Sequence, residues 1–207
     1  KVYLQELTSY NKVLNQRNKL LKDIGFQPGL TETLDVWDMQ LVSYGKKIIS
    51  LRRQFMEELG EIIRQIHSNL TGKKEEIRLL YEPDVEEKVF EEKLQSAREK
   101  DLRFRVTSVD PHRDDFCVQT NGIDIRKYGS QGQQRTAALS LKMSEIYLVE
   151  KVTKDHPVLL LDDVLSELDS SRQNYLLQSI HNIQTVITCT GLDELIENNF
   201  SIDRVFR

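Results

Sequence analysis

Thiol chemistry is nearly absent from the 207 residues: Cys117 and Cys189 are the only cysteines, far apart and without metal-ligand spacing around them. Such a pair fits a reducing cytoplasm, each packing as a small hydrophobe. His67, His112, His156 and His181 form no ligand pattern either. No window approaches a membrane-spanning apolar run, and the opening residues do not read as a secretory leader, so a cytoplasmic location is expected. Basic charge is not in excess. The net charge of −4 argues against a chain dominated by a nucleic-acid footprint. Also missing is any G-x-x-x-x-G-K-[ST], the loop that wraps nucleotide phosphates.

What is present suits a packed core, with 39% hydrophobic and 30% charged residues. Charge is uneven. Residues 1–72 carry 10 Lys and Arg against 8 Asp and Glu, and the remainder 19 against 25. The first part is helical by period. Leu4, Leu7, Tyr10, Leu14 and Leu21 recur at helical spacing up to a stop at Gly25. After Pro28-Gly29 a long second helix is predicted from about Thr33 to Leu70, with Gly45 as a candidate kink. Its polar face carries Lys46, Lys47, Arg52, Arg53 and Arg64. Either a solvated surface or a DNA-tracking face fits that row.

Beyond a boundary placed at Gly72 the period changes. Ile77, Leu79 and Tyr81 alternate as an edge strand ending at Glu82-Pro83. A charged helix is expected over 85–100, with Val89, Phe90, Leu94 and Ala97 inward, then a strand over Leu102–Val109 and a polar turn from Asp110 to Asp115. Phe116–Thr120 and Ile123–Arg126 read as a hairpin through Asn121-Gly122. A helix around Arg172–His181, a strand Thr185–Cys189, a short helix near Asp193–Asn198 and a strand near Asp203–Phe206 follow. Strands alternating with helices imply an α/β fold with a mostly parallel sheet.

Two stretches carry chemistry. Val158-Leu159-Leu160-Leu161 runs straight into Asp162-Asp163 and reads as a strand buried on both faces, with two carboxylates at its carboxyl end. Two adjacent acids there suit Mg²⁺ with a polyphosphate, although an ordinary acidic turn fits the same six residues. Ser130-Gln131-Gly132-Gln133-Gln134-Arg135 precedes a helical run from Thr136 to about Val152, with Leu139, Met143, Ile146 and Val149 on one face. A small Gly-containing turn entering a helix offers unpaired N–H groups to an anion, or is simply a cap.

In this order the two stretches resemble the second half of an ABC-type ATPase head. Ser130-Gln131-Gly132-Gln133 is similar to the signature loop, the strand with Asp162-Asp163 to Walker B, and Ser166-Glu167-Leu168-Asp169 to the D-loop. With Pro111-His112-Arg113-Asp114-Asp115 and Tyr128 to Thr136 added, the pattern resembles the bacterial RecF family of recombination-repair ATPases.

The resemblance implies the carboxyl-terminal half of an ABC-type ATPase head (73–207) preceded by a helical arm lobe (1–72). It also implies a chain that is part of a longer one, with the phosphate loop upstream and little ATP hydrolysis by this part alone. Asp162 would hold Mg²⁺. Asp163, where most of the superfamily has Glu, would orient the attacking water. Ser130, Gln131, Gly132 and Gln133 would meet ATP held by a second subunit, with Ser166 and Asp169 along the homodimer seam. A switch His expected after the next strand is replaced in the Thr188-Cys189-Thr190 region. Arg113 and Asp114 are expected to form a structural ion pair, with a direct role in ligand contact as the alternative. Implied partners are DNA, single-stranded or at gapped and junction duplex, and the mediators RecR and RecO. Two alternatives stand beside this: the head of another SMC-like ATPase, and a non-enzymatic interaction module.

Overall fold

The computed structural model describes residues 1–180, 182–189 and 203–204. The expected helix near Asp193–Asn198 and half of the strand near Asp203–Phe206 lie outside them, as do His181 and Thr190. The chain forms two compact units, Lys1–Glu58 with Leu79–Cys117, and Leu59–Arg78 with Val118–Arg207. The fold is α/β and mostly helical, with two small sheets.

In the first unit, helix α1 (Val2–Ile24) packs on the amino-terminal part of α2 (Leu34–Leu70). Tyr10, Leu14, Leu41, Ile48 and Phe90 form its apolar centre. Gly45 does not break α2, which runs through it unbroken. A Cβ there would lie 2.2 Å from Phe90 Cε1, so the glycine makes room for a ring of α3 (Phe90–Ser96). Of the cations on the polar face of α2, Lys47 pairs with Glu6, Arg52 with Asp114 and Arg53 with Glu86 in the first unit, and Arg64 with Glu61 in the second.

The strand expected over Leu102–Val109 is not formed. Helix α4 (Arg98–Phe104) covers its start, and Arg105 ends the helix in the left-handed conformation at φ 56°. Buried Arg17 decides this. It donates to Asp38 at 2.5 Å, to Asp101 at 2.7 Å and to Thr107 at 2.8 Å, and Asp101 also accepts from Ser108 N–H. A buried cation is tolerable only with such partners, and collecting them bends the segment around it. The Arg113–Asp114 ion pair is corrected too. Asp114, nearly buried, accepts from Arg52, from the Tyr81 hydroxyl and from Asp84 N–H, while Arg113 is exposed.

Strand β2 (Asp115–Thr120), whose last three residues belong to the second unit, turns into β3 (Ile123–Asp124), with Gln119 opposite Asp124 and Thr120 opposite Ile123. Asn121 and Gly122 both have positive φ, 51° and 80°, as a tight hairpin turn requires. The return strand is shorter than expected, because a helical turn, α5 (Ile125–Tyr128), begins at Ile125. Strand β1 (Ile77–Glu82) is at one end of this sheet, in the order β1-β2-β3. Helix α6 (Gln131–Thr153), strand β4 (Leu159–Asp162), helix α7 (Ser170–Ser179) and strand β5 (Thr185–Thr188) complete the unit.

Strands β4 and β5 are parallel, from Leu159 opposite Thr185 to Asp162 opposite Thr188. The sheet order β1-β2-β3 with its antiparallel β2–β3 pair departs from the mostly parallel expectation. Nor is β4 buried on both faces among the described residues. Leu161 is buried in a cluster with Leu139, Met143, Leu165 and Leu176, whereas Leu160 is 73% exposed. Alternation along a strand sends neighbouring side chains to opposite faces, and only one face of β4 has a partner layer here.

Candidate functional site

Helix α6 starts at Gln131, five residues earlier than its apolar period indicates, because Ser130 caps it. The Ser130 Oγ accepts from Gln133 N–H at 3.3 Å, and Gln133 Oε1 accepts from Ser130 N–H at 3.0 Å. This reciprocal pair is a capping box. Gln131, Gly132 and Gln133 therefore form the first helical turn, whose N–H groups lack intrahelical acceptors. Among the described residues, a Cβ placed on Gly132 would meet nothing within 4 Å, so the turn is open to approach from them. The Ser130 hydroxyl uses a lone pair on Gln133 and keeps its proton for another acceptor.

The buried face of α6 also differs from the expected apolar row. Val149 is exposed, and Thr136, Ser140 and Ser144 are buried beside Leu139 and Met143. Each of these hydroxyls donates to the carbonyl four residues back. Ser140 Oγ also lies 2.9 Å from Nδ1 of His67, which is fully buried at the end of α2. His67 Nε2 is 3.3 Å from Glu75 Oε2, and Glu75 Oε1 accepts from Gln133 Nε2 at 3.2 Å. Burial pushes the His67 imidazole below its usual range, against the raising effect of Glu75. A neutral ring donating to a carboxylate carries its proton on Nε2, and Nδ1 then competes with the Thr136 carbonyl for the single Ser140 hydroxyl proton.

At the carboxyl end of β4, Asp162 Oδ1 accepts from the Thr188 hydroxyl at 2.5 Å. Asp163 is left-handed, at φ 50°. Its N–H is shared between Thr188 O at 3.2 Å and Thr188 Oγ1 at 3.0 Å. Ser166 Oγ donates to Asp163 O at 2.9 Å. Asp169 caps α7, accepting from Arg172 N–H, and pairs with the Arg172 guanidinium at 2.8 Å. Both carboxylates of Asp162 and Asp163 are on exposed residues. Among the described residues no cluster of three or more His, Cys, Asp or Glu could hold a metal by itself. Two hard carboxylates without further protein ligands suit Mg²⁺ completed by water and phosphate oxygens, and do not suit a soft metal.

The structure thus brings the predicted residues together in two groups. Ser130, Gln131, Gly132 and Gln133 make the first turn of α6, and Asp162, Asp163 and Ser166 are linked around the end of β4. Side chains from behind these two ends share one apolar cluster, Leu139 and Met143 with Leu161 and Leu165. A cleft of about 750 Å³, lined by Arg64, Lys73, Lys74, Glu75 and Asn121 among others, contains none of the predicted residues. His67 and Glu75 were not predicted. Glu75 lies in Lys73-Lys74-Glu75-Glu76, which reads as surface charge, and nothing in the local pattern marks His67.

No family model matches the chain. Individual relatives do. The chain is 59% identical, over 206 residues and its whole length, to the DNA replication and repair protein RecF of Agathobacter rectalis. It is 59% identical over 209 residues to that of Lachnospira eligens.

This chain belongs to the RecF family.

It spans 57% and 58% of the length of those two curated relatives. Two solved structures of the recombination mediator protein RecF, described as RecF-ATP and RecF-ATPrS in the RecFOR pathway, share its fold. The first has a TM-score of 0.83 at 36% identity, covering 93% of this chain and 54% of that one. The second has 0.80 at 38%, covering 94% and 54%. Among the described residues no helix is long and apolar enough to cross a membrane.

Proposed function

We propose that this chain is the carboxyl-terminal part of a cytoplasmic, ATP-dependent DNA-binding protein of recombinational repair. Residues 1–72 serve as a helical arm lobe and 73–207 as the later part of an ABC-type head. The observation that carries this reading is the Thr188-tethered Asp162-Asp163 pair at a strand end, in a chain 59% identical to RecF proteins. Asp162 binds Mg²⁺, and Asp163 orients the water that attacks the γ-phosphate. Asp is one methylene shorter than the Glu common in the superfamily, which favours slow hydrolysis. The remaining part of the family's length supplies the phosphate-wrapping loop.

The first turn of α6 completes the ATP site of a second copy. Its free N–H groups and the Ser130 hydroxyl face the γ-phosphate, where the helix dipole favours negative charge. Gln133 contributes by closing the cap, since its N–H is committed to Ser130 Oγ and its side chain to Ser130 N–H and Glu75, and Gly132 supplies a free N–H. Gln131 adds its N–H, and Ser166 and Asp169 shape the seam. ATP then joins two heads on DNA at single-strand gaps and duplex junctions, and hydrolysis releases them. RecR and RecO are the partners through which the clamp promotes recombinase loading.

The test is Asp163→Asn in the full-length protein. ATP turnover falls by about two orders of magnitude or more, the scale of losing a residue that positions the nucleophile. The ATP-dependent dimer persists longer in light scattering. Unchanged turnover removes Asp163 from the mechanism.

A further inference from the structure

The α2 end of the second unit reaches the first turn of α6 through an unbroken row of polar side chains. Ser140 Oγ is 2.9 Å from His67 Nδ1, and His67 Nε2 is 3.3 Å from Glu75 Oε2. Glu75 Oε1 accepts from Gln133 Nε2 at 3.2 Å, and Gln133 Oε1 accepts from Ser130 N–H at 3.0 Å. Gln133 and Ser140 are seven residues apart, two helical turns, and so share one face of α6. The same face is lined by Thr136 and Ser144, both buried. Helix α6 is therefore held at two points on one side, at Ser140 by His67 and at Gln133 by Glu75.

The second grip has a chemical consequence. A glutamine amide has two ends of nearly equal shape, one donating and one accepting. A carboxylate only accepts, so Glu75 selects the end of Gln133 that faces it. Nε2 turns to Glu75, and Oε1 is left for Ser130 N–H. The capping box then closes with Ser130 Oγ as acceptor, which leaves the hydroxyl proton pointing elsewhere. Without Glu75 the amide is free to turn over, and in the turned state its NH₂ meets the Ser130 N–H, two donors face to face.

We propose that Glu75, itself held by His67, is a positioning residue that fixes the Gln133 amide and thereby presents the Ser130 hydroxyl and the first-turn N–H groups to nucleotide on a second subunit. This rests on the reading of residues 130–133 as the turn that meets that nucleotide. Glu75 touches neither nucleotide nor metal in this scheme. It acts through Gln133, and it ties the end of the long helix α2 to the nucleotide-facing turn.

The test uses the full-length protein with Glu75→Ala, Glu75→Gln, Gln133→Ala, the Glu75→Ala/Gln133→Ala double variant and Ser130→Ala. Three quantities are read: the midpoint of ATP-driven self-association, ATP affinity under conditions where the protein is monomeric, and the thermal midpoint. Glu75→Ala weakens self-association by about tenfold, the scale of losing a charge-assisted hydrogen bond. Monomer ATP affinity stays within twofold, because the turn acts on the partner's nucleotide. Glu75→Gln retains an accepting oxygen and stays within twofold of the parent, His67 changing tautomer to meet the new NH₂. In the double variant Glu75→Ala adds nothing to Gln133→Ala.

Three results overturn the proposal: Glu75→Ala self-associating as the parent does, Glu75→Gln failing as Glu75→Ala does, or additive losses in the double variant. If Glu75→Ala unfolds, Glu75→Gln with Gln133→Ala decides, since the first must associate normally and the second must not. Ser130→Ala separates the two layers. Normal association in that variant overturns the reading of the turn and the proposal with it. Loss in Ser130→Ala with normal association in Glu75→Ala overturns the positioning role alone.

Discussion

The Thr188 hydroxyl ties Asp162 to Asp163: it donates to Asp162 Oδ1 at 2.5 Å and accepts from Asp163 N–H at 3.0 Å. One side chain from β5 thus aims the carboxylate at the end of β4 and holds the left-handed turn that follows it. Where a carboxylate holds a metal, losing such an outer contact costs about 10- to 100-fold.

Thr188→Val keeps the shape of the side chain and removes both hydrogen bonds. In the full-length protein, Mg²⁺-dependent ATP turnover is expected to fall by about tenfold or more. Thr188→Ser keeps the hydroxyl and recovers most of it. Equal rates for Val and Ser at this position would show that the tether does not orient Asp162.

Arg17 anchors the first unit through Asp38 and Asp101, and its side chain is fully buried. Arg17→Met removes the cation and leaves Asp101 buried without it. A loss of about 3–5 kcal/mol in unfolding free energy is expected from urea titration. A loss below about 1 kcal/mol would mean that water replaces the guanidinium.

Gly45 sits against Phe90, and an added Cβ would lie 2.2 Å from the ring. Helix propensity favours alanine there by about 1 kcal/mol. Overpacking opposes it by about 1–3 kcal/mol, so Gly45→Ala is expected to destabilise. Adding Phe90→Leu relieves the clash, and the double variant melts closer to the parent than the sum of the two single changes. Stabilisation by Gly45→Ala alone would contradict this packing.

His67 makes stability depend on pH. Its folded-state pKa lies below the ordinary value, chiefly because burial disfavours the charged ring. The unfolded chain then binds the proton more readily, so this contribution is complete above the unfolded pKa of about 6.5 and is lost as pH falls towards the folded value. Urea midpoints of the parent should decline below that pH more steeply than those of His67→Gln. Parallel profiles would remove His67 as the cause.

The elements whose signal is local were legible in the residues themselves. Helix α2 follows from an apolar stripe from Leu34 to Leu70, and the β2–β3 hairpin from Asn121-Gly122, whose positive φ values few other pairs tolerate. The run Leu159 to Asp162 announced a strand ending in carboxylates, and Ser130 with Gln133 three residues on spells a capping box in the sequence. Period alone still placed the start of α6 five residues late, because its first turn is polar.

Other features depend on partners distant in the chain, and no local pattern encodes those. Leu102–Val109 has the composition of a strand but yields to Arg17, a residue more than eighty positions earlier that must be surrounded by acceptors once buried. Asp114 meets Arg52 rather than its neighbour Arg113 because the fold delivers a guanidinium to it. Thr188 reaches the two aspartates only through the parallel register of β4 and β5, and Glu75 reaches Gln133 only when α2 and α6 lie side by side. Period, capping and turn chemistry act over a few residues and are written along the chain. The satisfaction of buried charge and the orientation of a site's side chains are settled between segments, after the backbone has brought them together.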